Sequence, residues 1–256
     1  MPSPSIVLVP CLTDNYCALL HASSTGETLA IDAPQAAPIK AAMSARGWRL
    51  SDILVTHPHS DHTGGCQELK DFYGCSIAGP DVESERMPTL TRGVTEASKL
   101  TFAGHEVRVI ETPGHTLGHV SYFIPHLAAA FTGDTLFALG CGRIFEGDAA
   151  TMFASLQKLA ALPDETAVYC GHEYTLANAR FAMSVEPENR TLAARVKDIE
   201  AKRAAGEPTL PTSIGLEKAT NPFLRPHSTA IRARLGMAFA PDWQVFARLR
   251  ELKNKA

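Results

Sequence analysis

No apolar run in this 256-residue chain is long enough to cross a membrane; the longest, at 5–12 and 127–131, fall well short of the roughly 18 residues a spanning helix needs. The first residues lack a basic segment and a small-residue cleavage site, so no signal peptide and a cytoplasmic location are expected. The six cysteines, at 11, 17, 66, 75, 141 and 170, show no CxxC spacing. In a chain of this length they read as reduced thiols. Positive charge is not in excess: the net charge of −3 argues against a nucleic-acid binder, which usually carries a basic patch. Internal repeats and low-complexity segments are absent. What is present is 45% hydrophobic and 20% charged residues, which excludes wholesale disorder and allows one large domain or a domain with an appendage.

The charge is unevenly spread. Residues 1–172 hold 10 Lys and Arg against 18 Asp and Glu, whereas residues 173–256 hold 14 against 9. An acidic segment followed by a basic one suits a metal site beside a pocket for a small anion. The pattern of elements changes at the same place. Short β-branched or apolar runs at 6–9, 16–21, 28–31, 53–56, 120–124, 129–132 and 166–170 predict strands, with a hairpin over 99–112 around Gly104. Helical spacing appears at 38–46, 65–73 and 151–162, the first two closed by Gly47 and Gly74. After His172 the chain is helical at 176–185, 191–206, 229–235 and 242–253, broken by prolines. The expected division is therefore 1–172 and 173–256. Strand runs punctuated by helices, without strict βαβ alternation, indicate an α+β architecture.

The sharpest signal lies within 56–65, where His57, His59, Asp61 and His62 follow the apolar strand 53–56. In an extended stretch His57 and His59 point to the same side and can converge on one ion. Pro58 stiffens the loop between them. Asp61 and His62, adjacent in sequence, point elsewhere, toward a second ion. Three further residues stand at strand exits flanked by glycine: His115, Asp134 and His172. Rigid strand ends are where functional side chains project, and with the first four these make a set of seven. His119 is read as a supporting histidine beside His115. Cys141 and Cys170 are not expected to act as nucleophiles.

On these residues the chain resembles the metallo-β-lactamase-fold hydrolases, and within them the glyoxalase II (hydroxyacylglutathione hydrolase) family. The segments 140–147, 170–174, 185–189, 221–225 and 250–253 extend the likeness essentially end to end. The resemblance implies a four-layer αβ/βα sandwich at 1–172, which binds the metals, and a helical glutathione-binding domain at 173–256. It implies one metal on His57, His59 and His115 and a second on Asp61, His62 and His172, with Asp134 bridging. Two divalent ions per chain, zinc foremost with iron or manganese as alternatives, would hold a bridging hydroxide, toward which Asp61 and Asp134 would be catalytic. Substrate contacts would come from Arg143, Phe145, Tyr174, Arg250 and Lys253. Phe145 stands where some relatives have tyrosine.

The implied reaction is hydrolysis of an S-(2-hydroxyacyl)glutathione such as S-D-lactoylglutathione to glutathione and the 2-hydroxy acid, the second step of methylglyoxal detoxification. The chemistry suits the residues. Bound metal lowers the pKa of water to about 7, and a thiolate leaving group, with a conjugate acid near 8.5, departs without a dedicated general acid. A monomer acting on this small thioester, with no nucleic-acid or membrane partner, is the expectation. The alternatives are another enzyme of the same fold, such as a persulfide dioxygenase, or a non-catalytic metal-binding protein.

Overall fold

Residues 3–256 are described by a computed structural model, whose strands and helices form an α+β protein. By packing, the chain forms two compact units. The first runs to Glu111 and takes in Gly118–Gly133; the second comprises Thr112–Leu117 and Asp134–Ala256. The change of composition after His172 therefore lies inside the second unit.

In the first unit, Ser5–Cys11 and Asn15–His21 pair antiparallel with Val9 opposite Cys17, and Thr28–Ile31 adds antiparallel to them. Pairing then switches to parallel, through Asp52–Leu54, Ser76–Pro80 and Arg92–Val94. Parallel neighbours need crossovers, and helices Ala36–Ser44 and Cys66–Tyr73 fall where they are required. Leu19, Ile39, Met43, Ile53, Leu69 and Ile77 fill the core between sheet and helices, joined by Cys17 and Cys66 as small apolar side chains. A four-stranded antiparallel meander follows, from Leu100–Phe102 and His105–Glu111 to Val120–Ile124 and Ala129–Gly133. Along His105–Glu111 the valines at 107 and 109 are buried while Glu106 and Arg108 face solvent, as a strand covered on one face requires.

The second unit holds a two-residue hairpin, Leu136–Phe137 with Gly140–Cys141, and an antiparallel pair of Ala167–Cys170 with Thr212–Ser213. Around them lie Ala149–Ala160, Thr175–Val185, Arg190–Ala204, Ile214–Thr220, Thr229–Leu235 and Asp242–Asn254. Asp148 and Asn189 cap two of these helices through side-chain oxygens. Phe153, Phe181, Phe223 and Phe246 form a run of ring contacts at 5.7–5.9 Å.

The helices expected from spacing are present, each within two residues at its ends. Not expected were the strands Ser76–Pro80, Arg92–Val94, Leu136–Phe137, Gly140–Cys141 and Thr212–Ser213 and the helices Ser60–Thr63 and Ile214–Thr220. Among the described residues no helix is long and apolar enough to cross a membrane.

Candidate metal centre

Strand Asp52–Leu54 delivers the chain to a loop whose shape is set by one buried carboxylate. Asp32, at the exit of Thr28–Ile31 and with φ 55°, accepts from the Thr56 backbone N–H at 2.8 Å and the Thr56 hydroxyl at 2.9 Å. Its Oδ2 also lies 2.8 Å from His62 Nδ1. A carboxylate only accepts, so Nδ1 of His62 carries the proton and Nε2 keeps its lone pair. The Thr56 hydroxyl spends its hydrogen on Asp32 and accepts from His57 Nδ1 at 3.0 Å, which leaves His57 Nε2 with its lone pair too. His57 Nε2 and His59 Nδ1 then lie 3.0 Å apart, two imidazole nitrogens turned to one point. His62 stands beside them, its ring centroid 4.1 Å from that of His57.

Asp61 rises from the first turn of Ser60–Thr63, its Oδ2 3.8 Å from His62 Nε2. Asn15 donates its Nδ2 to the Asp61 carbonyl at 2.9 Å and carboxylate at 3.2 Å, which fixes the side chain's direction. His119 is fully buried and stacks on His57 at 5.0 Å between centroids. A Cβ on Gly133 would come within 2.7 Å of His119 Nε2 and 2.5 Å of Thr56 Oγ1, so glycine there lets the ring sit behind the loop. The sequence reading has His119 supporting the His115 loop; the ring contact seen is with His57.

The second unit carries its own group. His115 Nδ1 donates to the Arg143 carbonyl at 2.8 Å, so again Nε2 keeps a lone pair. Asp134 Oδ2 lies between two imidazoles, 3.5 Å from His115 Nε2 and 3.4 Å from His172 Nε2. All three side chains are buried. Buried imidazoles whose outer nitrogen is hydrogen-bonded and whose inner nitrogen faces a carboxylate are the donors a divalent ion takes. The structure thus brings the seven expected ligands together in two groups, four in one unit and three in the other.

The expected substrate residues all belong to the second unit. The exposed Phe145 ring stands 5.2 Å from His115, with the Arg143 guanidinium 6.0 Å from that ring. Tyr174 lies flat on His172 at 4.6 Å and 5°. Arg250, expected as a substrate contact, is tied to the protein itself. It is buried, donates to the Cys141 carbonyl at 2.7 Å and lies over the Phe223 ring. Lys253 is half-buried; its Nζ donates to the Ala177 carbonyl at 3.2 Å. Desolvation, then the Arg250 charge, pulls its ammonium below the usual range.

All six cysteines are unbridged and buried. Burial pushes the Cys170 and Cys66 thiols up to about 12 and Cys11 up to about 11. Burial also raises Cys141, with Arg250 opposing. None supplies a thiolate at neutral pH, in agreement with the sequence reading. Asp32 and Asn15 were missed by that reading. Asp32 follows an apolar strand as Asp134 and His172 do, but lacks the flanking glycine that marks them.

Residues 18–172 match the family model "Metallo-beta-lactamase superfamily" and residues 173–256 match "Hydroxyacylglutathione hydrolase C-terminus". A protein of Brucella anthropi named hydroxyacylglutathione hydrolase is 54% identical over 95% of this chain and 94% of its own length. One of Brucella ovis with the same name is 52% identical over 95% of each. Among solved structures, ETHE1 from Myxococcus xanthus superposes with a TM-score of 0.66 at 22% identity, covering 98% of this chain and 90% of that one. The BLEG-1 B3 metallo-beta-lactamase gives 0.66 at 23% identity over 86% of this chain and 100% of its own. At such identities the solved structures establish the fold alone.

Proposed function

The chain belongs to the hydroxyacylglutathione hydrolase family of the metallo-β-lactamase superfamily, and on that footing we propose that it hydrolyses S-(2-hydroxyacyl)glutathione, S-D-lactoylglutathione foremost, to glutathione and the 2-hydroxy acid. The observation that carries the reading is identity above 50% across both segments, the metal-donor segment and the C-terminal one specific to this family. We take 1–172 as the catalytic segment and 173–256 as the substrate-binding one.

The ligand assignment is His57, His59 and His115 for one ion and Asp61, His62 and His172 for the other, with Asp134 bridging. It is supported within each unit by ligand atoms turned to one another: His57 Nε2 lies 3.0 Å from His59 Nδ1 and Asp61 Oδ2 3.8 Å from His62 Nε2, while Asp134 Oδ2 lies between His115 and His172 at 3.5 and 3.4 Å. Imidazole and carboxylate donors suit zinc, iron or manganese, and zinc is the ion proposed. When bound, such ions act as Lewis acids and bring the pKa of water to about 7.

The chain's own residues do the rest. Asp32, Thr56 and the Arg143 carbonyl hold His62, His57 and His115 in the tautomer that offers Nε2. Asp61, steadied by Asn15, offers its carboxylate beside His62 for a hydrogen bond to the attacking water. Phe145 and Tyr174 present rings beside His115 and His172, where they would flank an acyl group. Arg143 and Lys253 would meet the two carboxylates of the glutathione moiety. Arg250 would act through the Cys141 carbonyl, steadying the segment that leads to Arg143. The leaving thiolate needs no proton, so the absence of a dedicated acid costs nothing. A monomer in the cytoplasm completes the proposal; unbridged, buried thiols fit a reducing compartment.

The test is hydrolysis of S-D-lactoylglutathione with bound metal counted in the same sample. The expected result is turnover with close to two ions per chain, lost on chelation. A fully metallated protein that leaves the thioester intact would overturn the substrate.

A further inference from the structure

We propose that Glu217 and Asn221 are positioning residues for His115, Asp134 and His172, acting through the turn at 137–140. The inference rests on the metal-centre reading for what those three donors hold. It adds that two buried side chains remote in sequence set their spacing.

The turn joins Leu136–Phe137 to Gly140–Cys141 through Ala138 and Leu139, and Leu139 sits at φ 56°, a conformation that β-carbon-bearing residues avoid. Side chains hold it there. Glu217 Oε2 accepts from the Leu139 backbone N–H at 2.8 Å. Asn221 Nδ2 donates to the Gly140 carbonyl at 2.9 Å and the Phe137 carbonyl at 3.2 Å, and to Glu217 Oε2 at 2.9 Å. Asn178 donates to the Ala138 carbonyl at 3.1 Å. The other carboxylate oxygen of Glu217 accepts from Arg195 at 2.5 Å and Thr212 at 2.6 Å. Glu217 and Asn221 are fully buried. A charge in such a place is tolerated only with this many donors around it, and here two of those donors belong to or grip the turn.

The turn reaches all three metal-donor residues. Leu136 follows Asp134 by two residues. Gly142 packs so closely on the Asp134 carbonyl that an added Cβ would overlap it. Next along is Arg143, whose carbonyl orients His115. From the other arm, the Phe137 ring stands 6.0 Å from His172 and 5.3 Å from Tyr174. A shift of the turn therefore moves the carboxylate, the His115 acceptor and the ring packed on His172 together.

The test compares Asn221→Ala and Glu217→Gln with Ser228→Ala, which removes a helix cap and a hydrogen bond to Glu186 elsewhere in the same unit. Metal affinity by chelator competition should fall on the order of tenfold or more in Asn221→Ala, the range for losing an outer partner of metal ligands. It should hold in Ser228→Ala at a comparable loss of Tm. In metal-free protein, ¹⁵N imidazole spectra of His115 and His172 should change in Asn221→Ala and Glu217→Gln alone. Affinity within twofold of the parent, unchanged imidazole signals, or losses that simply track Tm in all three variants would overturn the proposal. A parent protein that binds no metal would instead sink the metal-centre reading, while the metal-free spectra still decide on the turn.

Discussion

At the scale of single residues, the site depends on acceptors that never touch an ion. Asp32 takes hydrogen bonds from the Thr56 amide, the Thr56 hydroxyl and His62. Asp32→Ala orphans these buried donors, at about 1–3 kcal/mol for each one left without a partner. The expected outcome is a loss of a few kcal/mol in urea unfolding together with weakened metal binding by dialysis; a variant as stable and as well metallated as the parent would refute the role. The four donors of 57–62 were legible in the sequence because an extended chain repeats every second residue, so His57 and His59 had to share a side. Asp32 was not, since a lone carboxylate after a strand gives no sign of what will fold onto it. Arg250 shows the converse. Its spacing from Lys253 tells which residues share a helix face and nothing about what covers that face, here Phe223 and the Cys141 carbonyl.

Elements are joined in the second unit by buried charge as well as by rings. Glu186, at the end of Thr175–Val185, binds Arg225 bidentately at 2.8 and 2.9 Å and accepts from Ser228 and Asn189. Desolvation works to raise its pKa, but Arg225, Asn189 and Ser228 outweigh it and the carboxyl titrates below its usual 4.5. A depressed carboxyl contributes stability above its unfolded pKa and loses it as pH falls through the lower folded value. The Tm difference between parent and Glu186→Gln should thus be full at pH 6 and shrink below pH 4; a difference independent of pH would refute the linkage. The longer helices were read within two residues because their apolar stripes run for several turns. Ser76–Pro80 escaped because Gly79 and Pro80 look like a turn. Ile214–Thr220 escaped because seven residues with a glycine among them carry little periodicity.

For the whole molecule, charge is the property most plainly written in the sequence: an acidic segment with all seven expected metal donors, then a basic one that matches the hydroxyacylglutathione hydrolase C-terminus. A glutathione thioester is an anion, and the capture proposed for Arg143 and Lys253 should be screened by salt. KM for the thioester should therefore rise as ionic strength goes from 0.02 to 0.5 M while kcat stays level; a flat KM would remove these cations from binding. Composition could not foretell where compact units divide, because packing returns 112–117 to the later part of the chain and 118–133 to the earlier.

The six buried thiols bear on life with the product. Each turnover releases glutathione, and a cell rich in glutathione also holds its disulfide. Exchange with that disulfide requires a thiolate that can be reached. With Cys11, Cys66 and Cys170 held protonated and all six enclosed, the folded enzyme offers no such partner, and so resists S-glutathionylation by the pool it feeds.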